Sequence, residues 1–130
     1  MRLNPDCVRD VLLAIEAAEL GEYISPGTLH RSLTQYSESE IDYTCLLLDD
    51  GGFLISMKIQ LPQQEIPNVK SIVRLTYQGH EFIAKIRDTE RWHGVKRALP
   101  AIRNYSLHAI NAVAEGMTSA AISALLQANL

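Results

Sequence analysis

The hydrophobic pattern of this chain changes its period at Gly51-Gly52, and this change limits the folds that the chain can adopt. Before the two glycines, apolar residues recur every three or four positions, which is typical of helices with one buried face. After them, apolar and polar residues alternate from Phe53 to Leu61, which is typical of a half-buried strand. The sequence therefore predicts helices followed by a small sheet, an α+β arrangement.

Three helical segments precede the glycines, and each begins with residues that favour a helix start. The start signals are Asn4 with Pro5, Ser25 with Pro26, and Ser37 with Glu40. Gly21 is predicted to end the first segment, and the glycine pair to end the third. Three helices joined by short, well-marked connections are typical of a helix-turn-helix unit.

A second strand is predicted from Lys70 to Leu75, with Ile72 or Val73 facing inward. It follows a loop whose tip is marked by proline and asparagine at positions 67 and 68. Three helices followed by a two-stranded hairpin make a winged helix-turn-helix. This is the fold that the sequence predicts for the first part of the chain.

The rest of the chain is predicted to be helical, in three segments. Their start signals are Thr76, then Asp88 or Thr89, then Ser106. Pro100 is predicted to end the middle segment, and Gly116 to bend or split the last one. We therefore expect a winged-helix domain with its following helices over residues 1–105, and a C-terminal helical extension over residues 106–130.

The C-terminal helix carries an apolar stripe that is wider than a small winged helix usually needs. Its members include Leu107, Ile110, Val113, Met117 and Leu125. An unpaired apolar helix face favours self-association. We therefore expect a homodimer through residues 106–130, with packing of this helix on the first helix as the alternative.

Three strings of the sequence resemble a known family. They are LNPDCVRDVLLAIE, DYTCLLLDDGGFLI and RLTYQGHEFIAKIRDTERW, which follow one another in that order. The chain resembles, over roughly residues 2 to 115, a family of short bacterial and prophage-encoded winged-helix proteins. That family is catalogued only as a domain of unknown function.

The resemblance implies a winged-helix fold and a frequent phage setting. It implies no substrate, cofactor or catalytic residue, so none is assigned to this chain from it. Proteins of this kind often carry a histidine after the tyrosine of the third helix, where this chain has Thr44. Any role of that histidine is therefore in doubt here.

Enzyme chemistry finds no support in the motifs of this sequence. The four histidines lack the spacing of a metal motif, and neither cysteine belongs to a CxxC pair. Phosphate-binding glycine loops and a nucleophile elbow are also missing from the sequence. We expect no catalytic residue, no metal and no cofactor.

Cysteine environment and hydropathy indicate where the protein acts. Cys7 and Cys45 lie among apolar neighbours in helical patterns, so we expect buried, reduced thiols. The apolar runs span only a few residues, whereas a membrane helix needs about 20. The first residues lack the apolar core of a signal peptide. These features predict a cytoplasmic protein without a membrane partner.

Charge is distributed unevenly along the chain. Residues 1–54 hold three bases and ten acids, whereas residues 55–105 hold nine bases and four acids. A basic half of this kind is typical of proteins with a polyanionic partner. It is equally typical of two halves that attract each other.

The first functional hypothesis is a non-catalytic regulator with modest binding to double-stranded DNA, led by the wing. The exposed side of the third helix is acidic and would be repelled by phosphates, so the basic residues elsewhere must provide the contacts. The candidate DNA-binding residues are Arg31, Lys58, Lys70 and Arg74, followed by Ser39 and Tyr43. Neutralisation of these bases by N-terminal carboxylates would argue against this hypothesis.

The alternative hypothesis is a protein-interaction module that presents its acidic third helix to a basic protein surface. In a phage setting, an inhibitor of a host defence complex or of another nucleic-acid-binding complex would fit this description. The candidate partner-binding residues are Glu38, Glu40, Asp42, Asp49 and Asp50. Complementary charge would mainly speed the association of the two proteins.

Overall fold

The change of period at Gly51-Gly52 becomes a change from helix to strand in the structure. A computed structural model describes residues 1–63 and 68–116 of the chain. This part is α+β, and its elements are α1 (Pro5–Ala17), α2 (Pro26–Ser32), α3 (Glu38–Asp50), β1 (Leu54–Ile59), β2 (Asn68–Leu75), α4 (Tyr77–Ile86), α5 (Thr89–Ile102) and α6 (Leu107–Glu115). The order of the elements is compatible with the predicted winged helix-turn-helix. The chain divides into two compact units, Met1–His80 and Glu81–Leu130.

The predicted starts of the first three helices are confirmed, and each is capped by a side chain. Asn4 Oδ1 accepts hydrogen bonds from the backbone N–H groups of Asp6 and Cys7, at 3.0 and 3.4 Å. The hydroxyls of Ser25 and Ser37 each accept from a backbone N–H three residues later, both at 3.1 Å. Such caps satisfy N–H groups that have no partner inside the helix, and so fix where each helix begins.

The predicted end of the first helix is wrong. α1 ends at Ala17, not at Gly21. Its last buried residue is Ile15, and Leu20 is fully exposed, so a longer helix would bury little further apolar surface. Gly21 instead adopts a φ of 86° in the connection to α2, a conformation that favours glycine.

The predicted end of the fifth helix is also wrong, because α5 continues past Pro100 to Ile102. Proline lacks a backbone N–H, but its φ is compatible with a helix, so the helix loses a hydrogen bond without stopping there. Arg103 follows with a left-handed φ of 54° and donates its N–H to the Pro100 carbonyl at 3.2 Å.

The core of Met1–His80 packs α1 and α3 together with one side of the sheet. Its most deeply buried apolar side chains include Val8, Val11, Leu12, Ile41, Leu48, Leu54, Ile72 and Leu75. Thr44 is buried on the same side of α3 and donates its hydroxyl to Cys7 Sγ at 3.4 Å. Thr44 therefore serves the packing of α3 on α1.

β1 and β2 form an antiparallel ribbon that contains two irregularities. The paired residues are Leu54 with Leu75, Ile55 with Arg74, Ser56 with Ile72, Met57 with Ser71, Lys58 with Val69, and Ile59 with Asn68. Val73 and Lys70 are the extra residues at the two register shifts. Such bulges bend and twist a strand locally.

The alternating apolar residues of β1 are exposed rather than buried. The side chains of Ile55, Met57 and Ile59 are 39%, 58% and 43% exposed. Leu54 is the buried residue of β1, and Ile72, not Val73, is buried on β2. The ribbon turns its Ser56 side towards α3, because the Ser56 hydroxyl donates to Asp49 Oδ1 at 3.0 Å. The apolar side of β1 therefore faces away from α3.

The second unit is described up to Gly116. In it, α5 packs against α6, and Lys85 Nζ reaches α6 to contact Glu115 Oε1 at 2.7 Å and Asn111 Oδ1 at 3.0 Å. Arg91 also donates to the Ala114 carbonyl at 3.2 Å, near the C-terminal end of α6. Two of the basic side chains after the sheet are thus engaged within this unit.

The predicted dimerisation element lies largely outside the described residues. Ser106 caps α6 as predicted, accepting from the Ala109 N–H at 3.1 Å. Ile110 and Ala114 form its buried face. The stripe beyond residue 116 and the predicted bend after Gly116 fall on residues that the structure does not describe. The homodimer and the boundary between residues 105 and 106 therefore stay predictions.

Gly79 lets the first turn of α4 approach the end of the α3–β1 connection. Thr76 caps this helix: its N–H donates to the Phe53 carbonyl, and its hydroxyl accepts from the Gly79 N–H, both at 3.0 Å. A Cβ built on Gly79 would collide with the Phe53 carbonyl oxygen. The close packing of α4 on this connection therefore requires glycine at position 79.

We predict that Gly79→Ala lowers the free energy of unfolding by about 2–3 kcal/mol, because the clash is with backbone and cannot be relieved by a rotamer change. Gly27→Ala in α2 is the matched control, since its Cβ would meet nothing closer than 3.6 Å. The control should gain up to about 0.5–1 kcal/mol from helix propensity. Urea denaturation measures both values. Equal effects of the two substitutions would contradict the predicted approach.

We predict that both cysteine thiols are unreactive in the native protein. Burial raises the pKa of Cys45 to about 12 and also raises the pKa of Cys7, so little thiolate forms near neutral pH. A thiol-specific chromogenic reagent should label both residues only after denaturation. An exposed Ser32→Cys variant provides the positive control, and rapid labelling of Cys7 or Cys45 in the native state would contradict the packing.

Candidate functional site

A groove runs along the exposed side of α3, within the unit Met1–His80. One wall is formed by Ser39, Asp42, Tyr43 and Leu46, whose spacing places them on one face of the helix. The start of β2 and the Met1 side chain complete the lining. The groove has a volume of about 470 Å³ and is open to solvent. It combines one carboxylate with largely apolar walls.

The structure brings together residues from both functional hypotheses in this groove. Ser39 and Tyr43 are predicted DNA-binding residues, whereas Asp42 is a predicted partner-binding residue. No arginine or lysine contributes to the described lining of the groove. A phosphate at this place would therefore meet the Asp42 carboxylate without a compensating cation.

Asp42 is the charged centre of the groove. Partial burial, together with the nearby charge of Glu38, raises the pKa of the Asp42 carboxyl, while His30 opposes the shift. The structure gives Asp42 no hydrogen bond or ion pair with any described residue. Asp42 is nevertheless an exposed residue, so solvent and any cation that approaches α3 can reach its carboxylate.

Asp49 differs from Asp42 because it is already neutralised by the ribbon. Lys58 Nζ lies 2.5 Å from Asp49 Oδ2, and the Ser56 hydroxyl donates to the other carboxylate oxygen at 3.0 Å. The hydrogen bond to Asp49 is the main cause of a raised pKa of Lys58, and the charge of Asp49 adds to it. This arrangement ties the C-terminal end of α3 to β1.

The other predicted partner-binding acids are placed differently. Glu40 accepts from Asn4 Nδ2 at 3.1 Å and from the Ser37 N–H at 3.3 Å, which holds α1 to α3 and lowers the pKa of Glu40. Glu38 Oε1 lies 3.8 Å from His30 Nδ1, and both Glu38 and Asp50 are exposed. Glu40 therefore serves the fold, whereas Glu38 and Asp50 face solvent.

The predicted DNA-binding bases do not form one patch of free cations. Lys58 is paired with Asp49. Arg74 lines a second small groove that also carries three glutamates from α1 and the connection after it, and it donates to the Leu75 carbonyl at 3.0 Å. Arg31 and Lys70 are exposed, and no ion pair involves either of them among the described residues.

The exposure of the apolar face of β1, formed by Ile55, Met57 and Ile59, is not predicted by the sequence. Period-two alternation identifies a strand with one apolar face but does not tell which face is covered. The polar side of the strand contains Lys58, and the acids at the end of α3 attract it. Attention to the charge of Asp49 and Asp50 would have indicated this orientation.

The described residues contain no cluster of three or more His, Cys, Asp or Glu side chains that would hold a metal ion. Among the helices in these parts of the chain, none has the length and apolar character needed to span a membrane.

Comparison with known proteins identifies the class to which this chain belongs. Residues 2–106 match the family described as "Hypothetical protein (DUF2513)", a domain of unknown function. The chain belongs to this family, and the resemblance noted in its sequence is confirmed to that extent.

One relative is similar over nearly the whole chain. An uncharacterized protein of Haemophilus influenzae is 28% identical over 123 residues, which cover 92% of this chain and 97% of the relative. No solved structure matches the chain significantly.

We predict that Asp49→Asn lowers the pKa of the Lys58 ammonium, because the carboxylate that stabilises its charged form is lost. Asp50→Asn is the matched control, since it removes the same charge from the adjacent position without removing the hydrogen bond to Lys58. An NMR titration of the lysine Cε signals measures both. Equal decreases in the two variants would show that the Lys58–Asp49 contact is not formed in solution.

Proposed function

We propose that this protein is a non-catalytic winged-helix protein that binds a basic protein surface through α3 and the ribbon. The observation that carries the proposal is the Lys58–Asp49 ion pair, which uses a cation of the ribbon to neutralise an acid of the helix. The wing thereby loses one of its three predicted phosphate contacts, while Asp42 of the third helix has no ion pair among the described residues. A protein partner does not require the missing positive charge.

The winged-helix assignment is supported by the order and packing of the elements. Three helices lead into a two-stranded antiparallel ribbon, and α3 packs against α1, α2 and both strands. In this arrangement α3 corresponds to a recognition helix and the ribbon to a wing. The function then depends on which side chains these two elements present.

Electrostatics argue against DNA as the ligand of this unit. Residues 1–80 contain eleven acids and six bases, and Asp42 occupies the exposed face of the helix that would enter the major groove. DNA affinity rests mainly on Lys and Arg that neutralise phosphates. A net negative unit with an acidic recognition helix would repel the backbone on approach.

Exposed apolar surface supports a protein partner. The apolar face of β1 offers three large side chains to solvent on a short ribbon. Adjacent exposed apolar groups of this kind are typical of interaction surfaces. A partner that contacts both sides of the ribbon would meet acidic groups on the side next to α3. On the other side it would meet the apolar face of β1.

Modest DNA binding led by the wing is the second candidate function. Arg31, Lys70 and Arg74 favour it, since all three are exposed and none takes part in an ion pair within the described residues. The pairing of Lys58 with Asp49 leaves three of the four phosphate contacts that the sequence predicts. The phage setting and a role against a host complex rest on the family resemblance, and they belong to the proposal.

Site-specific photo-crosslinking in cells of the native host tests the proposed function. Tyr43 or Met57 is replaced by p-benzoylphenylalanine, which forms adducts with whatever lies within reach. We expect discrete adducts at both positions that survive nuclease and are degraded by protease. The same replacement at Leu20, which is fully exposed elsewhere on the unit, is the control and should give no discrete adduct.

Two outcomes would contradict the proposal. Adducts that nuclease removes would identify nucleic acid as the ligand, in favour of the second candidate. Identical adducts at Tyr43, Met57 and Leu20 would show that the chain has no preferred interaction surface.

A further inference from the structure

We propose that the groove beside Asp42 binds a lysine or arginine side chain of the protein partner. This inference rests on the proposed function and specifies which side chains of the partner recognise α3. It concerns the groove formed by Ser39, Asp42, Tyr43 and Leu46 of α3 with the start of β2.

The first argument is an internal precedent within the same helix. Asp42 and Asp49 are seven residues apart, so they lie on nearly the same side of α3, about 10 Å apart along its axis. Asp49 receives a lysine from the ribbon, whereas Asp42 has no ion pair among the described residues. The helix thus presents one largely covered carboxylate that a lysine already contacts and a more exposed one that has no ion pair among the described residues.

The second argument is the composition of the groove. Lysine and arginine carry a long aliphatic stem that packs on apolar surface while the charged end reaches a polar group. Tyr43, Leu46 and Val69 provide apolar walls for such a stem, and Asp42 provides the anionic end. An anionic ligand or a purely apolar side chain would match only one of these two features.

The third argument is electrostatic. The pKa of Asp42 is raised by partial burial and by Glu38, so the charged carboxylate is less well stabilised than in water. A cation in the groove would remove this penalty. Glu38 lies close enough to affect Asp42 and would attract the same cation, which matches the groove to a positively charged occupant.

Blocked pentapeptides with a central lysine, arginine, acetyl-lysine or norleucine flanked by leucines are suitable probes. We expect the lysine and arginine peptides to shift the backbone amide signals of residues 39–46 and 68–69 in NMR spectra of the full chain. Affinity should be on the order of millimolar for a single anchored side chain. The acetyl-lysine and norleucine peptides, which lack the charge, should bind about tenfold more weakly.

The matched variants are Asp42→Asn and Asp50→Asn, which remove one negative charge each from the exposed part of α3. Asp42→Asn should weaken the lysine peptide about tenfold and leave the acetyl-lysine peptide unchanged. Asp50→Asn should weaken the lysine peptide less than about threefold, through the general field alone. Asp42→Glu keeps the charge and should retain most of the binding.

Equal weakening by Asp42→Asn and Asp50→Asn, or equal binding of the charged and acetylated peptides, would overturn the proposal. An absence of peptide binding to the native protein would also overturn it. If these results were obtained together with protein adducts at Tyr43 and Met57, the proposed function would stand and only the proposal about the groove would fail. Nuclease-sensitive adducts would instead contradict the proposed function. The peptide titrations would still decide whether the groove binds a lysine or arginine side chain.

Discussion

The attachment of the ribbon to α3 by Asp49 is the constraint on which the proposed interaction surface depends. Lys58 and Ser56 both contact this carboxylate, so the polar side of β1 must face the helix. Because side chains alternate along a strand, the apolar side of β1 then faces solvent. One ion pair therefore neutralises a cation of the ribbon and leaves an apolar face exposed, and the proposed protein partner rests on both effects.

Much of the fold is predictable from local signals in the sequence. Capping residues such as Ser37 and Thr76 specify helix starts because they satisfy orphan N–H groups within a few residues. Helix ends are less predictable: α1 ends before Gly21 and α5 continues past Pro100. A helix ends where further turns would bury no more apolar surface against the rest of the protein. A glycine or proline permits a helix end at its position but does not require one.

The sequence predicts which residues belong to the candidate site, but it does not predict which of them form ion pairs. Sequence places Asp42 and Tyr43 on the exposed side of the third helix, and the structure brings both into one groove. The sequence does not reveal that Lys58 contacts Asp49, because ion pairs between a helix and a strand depend on the register and twist of the ribbon. Charge totals for sequence segments therefore do not show which bases, such as Lys58, are paired with an acid in the folded protein.

The central claim is that α3 and the ribbon form no phosphate-binding surface. The most direct measurement is an NMR titration of the ¹⁵N-labelled full chain with random duplex DNA at low salt, where electrostatic binding is strongest. The account predicts no saturable shifts of the backbone amides in α3, β1 or β2. Saturable shifts centred on Lys58, Lys70 and Arg74, and lost at moderate salt, would contradict it.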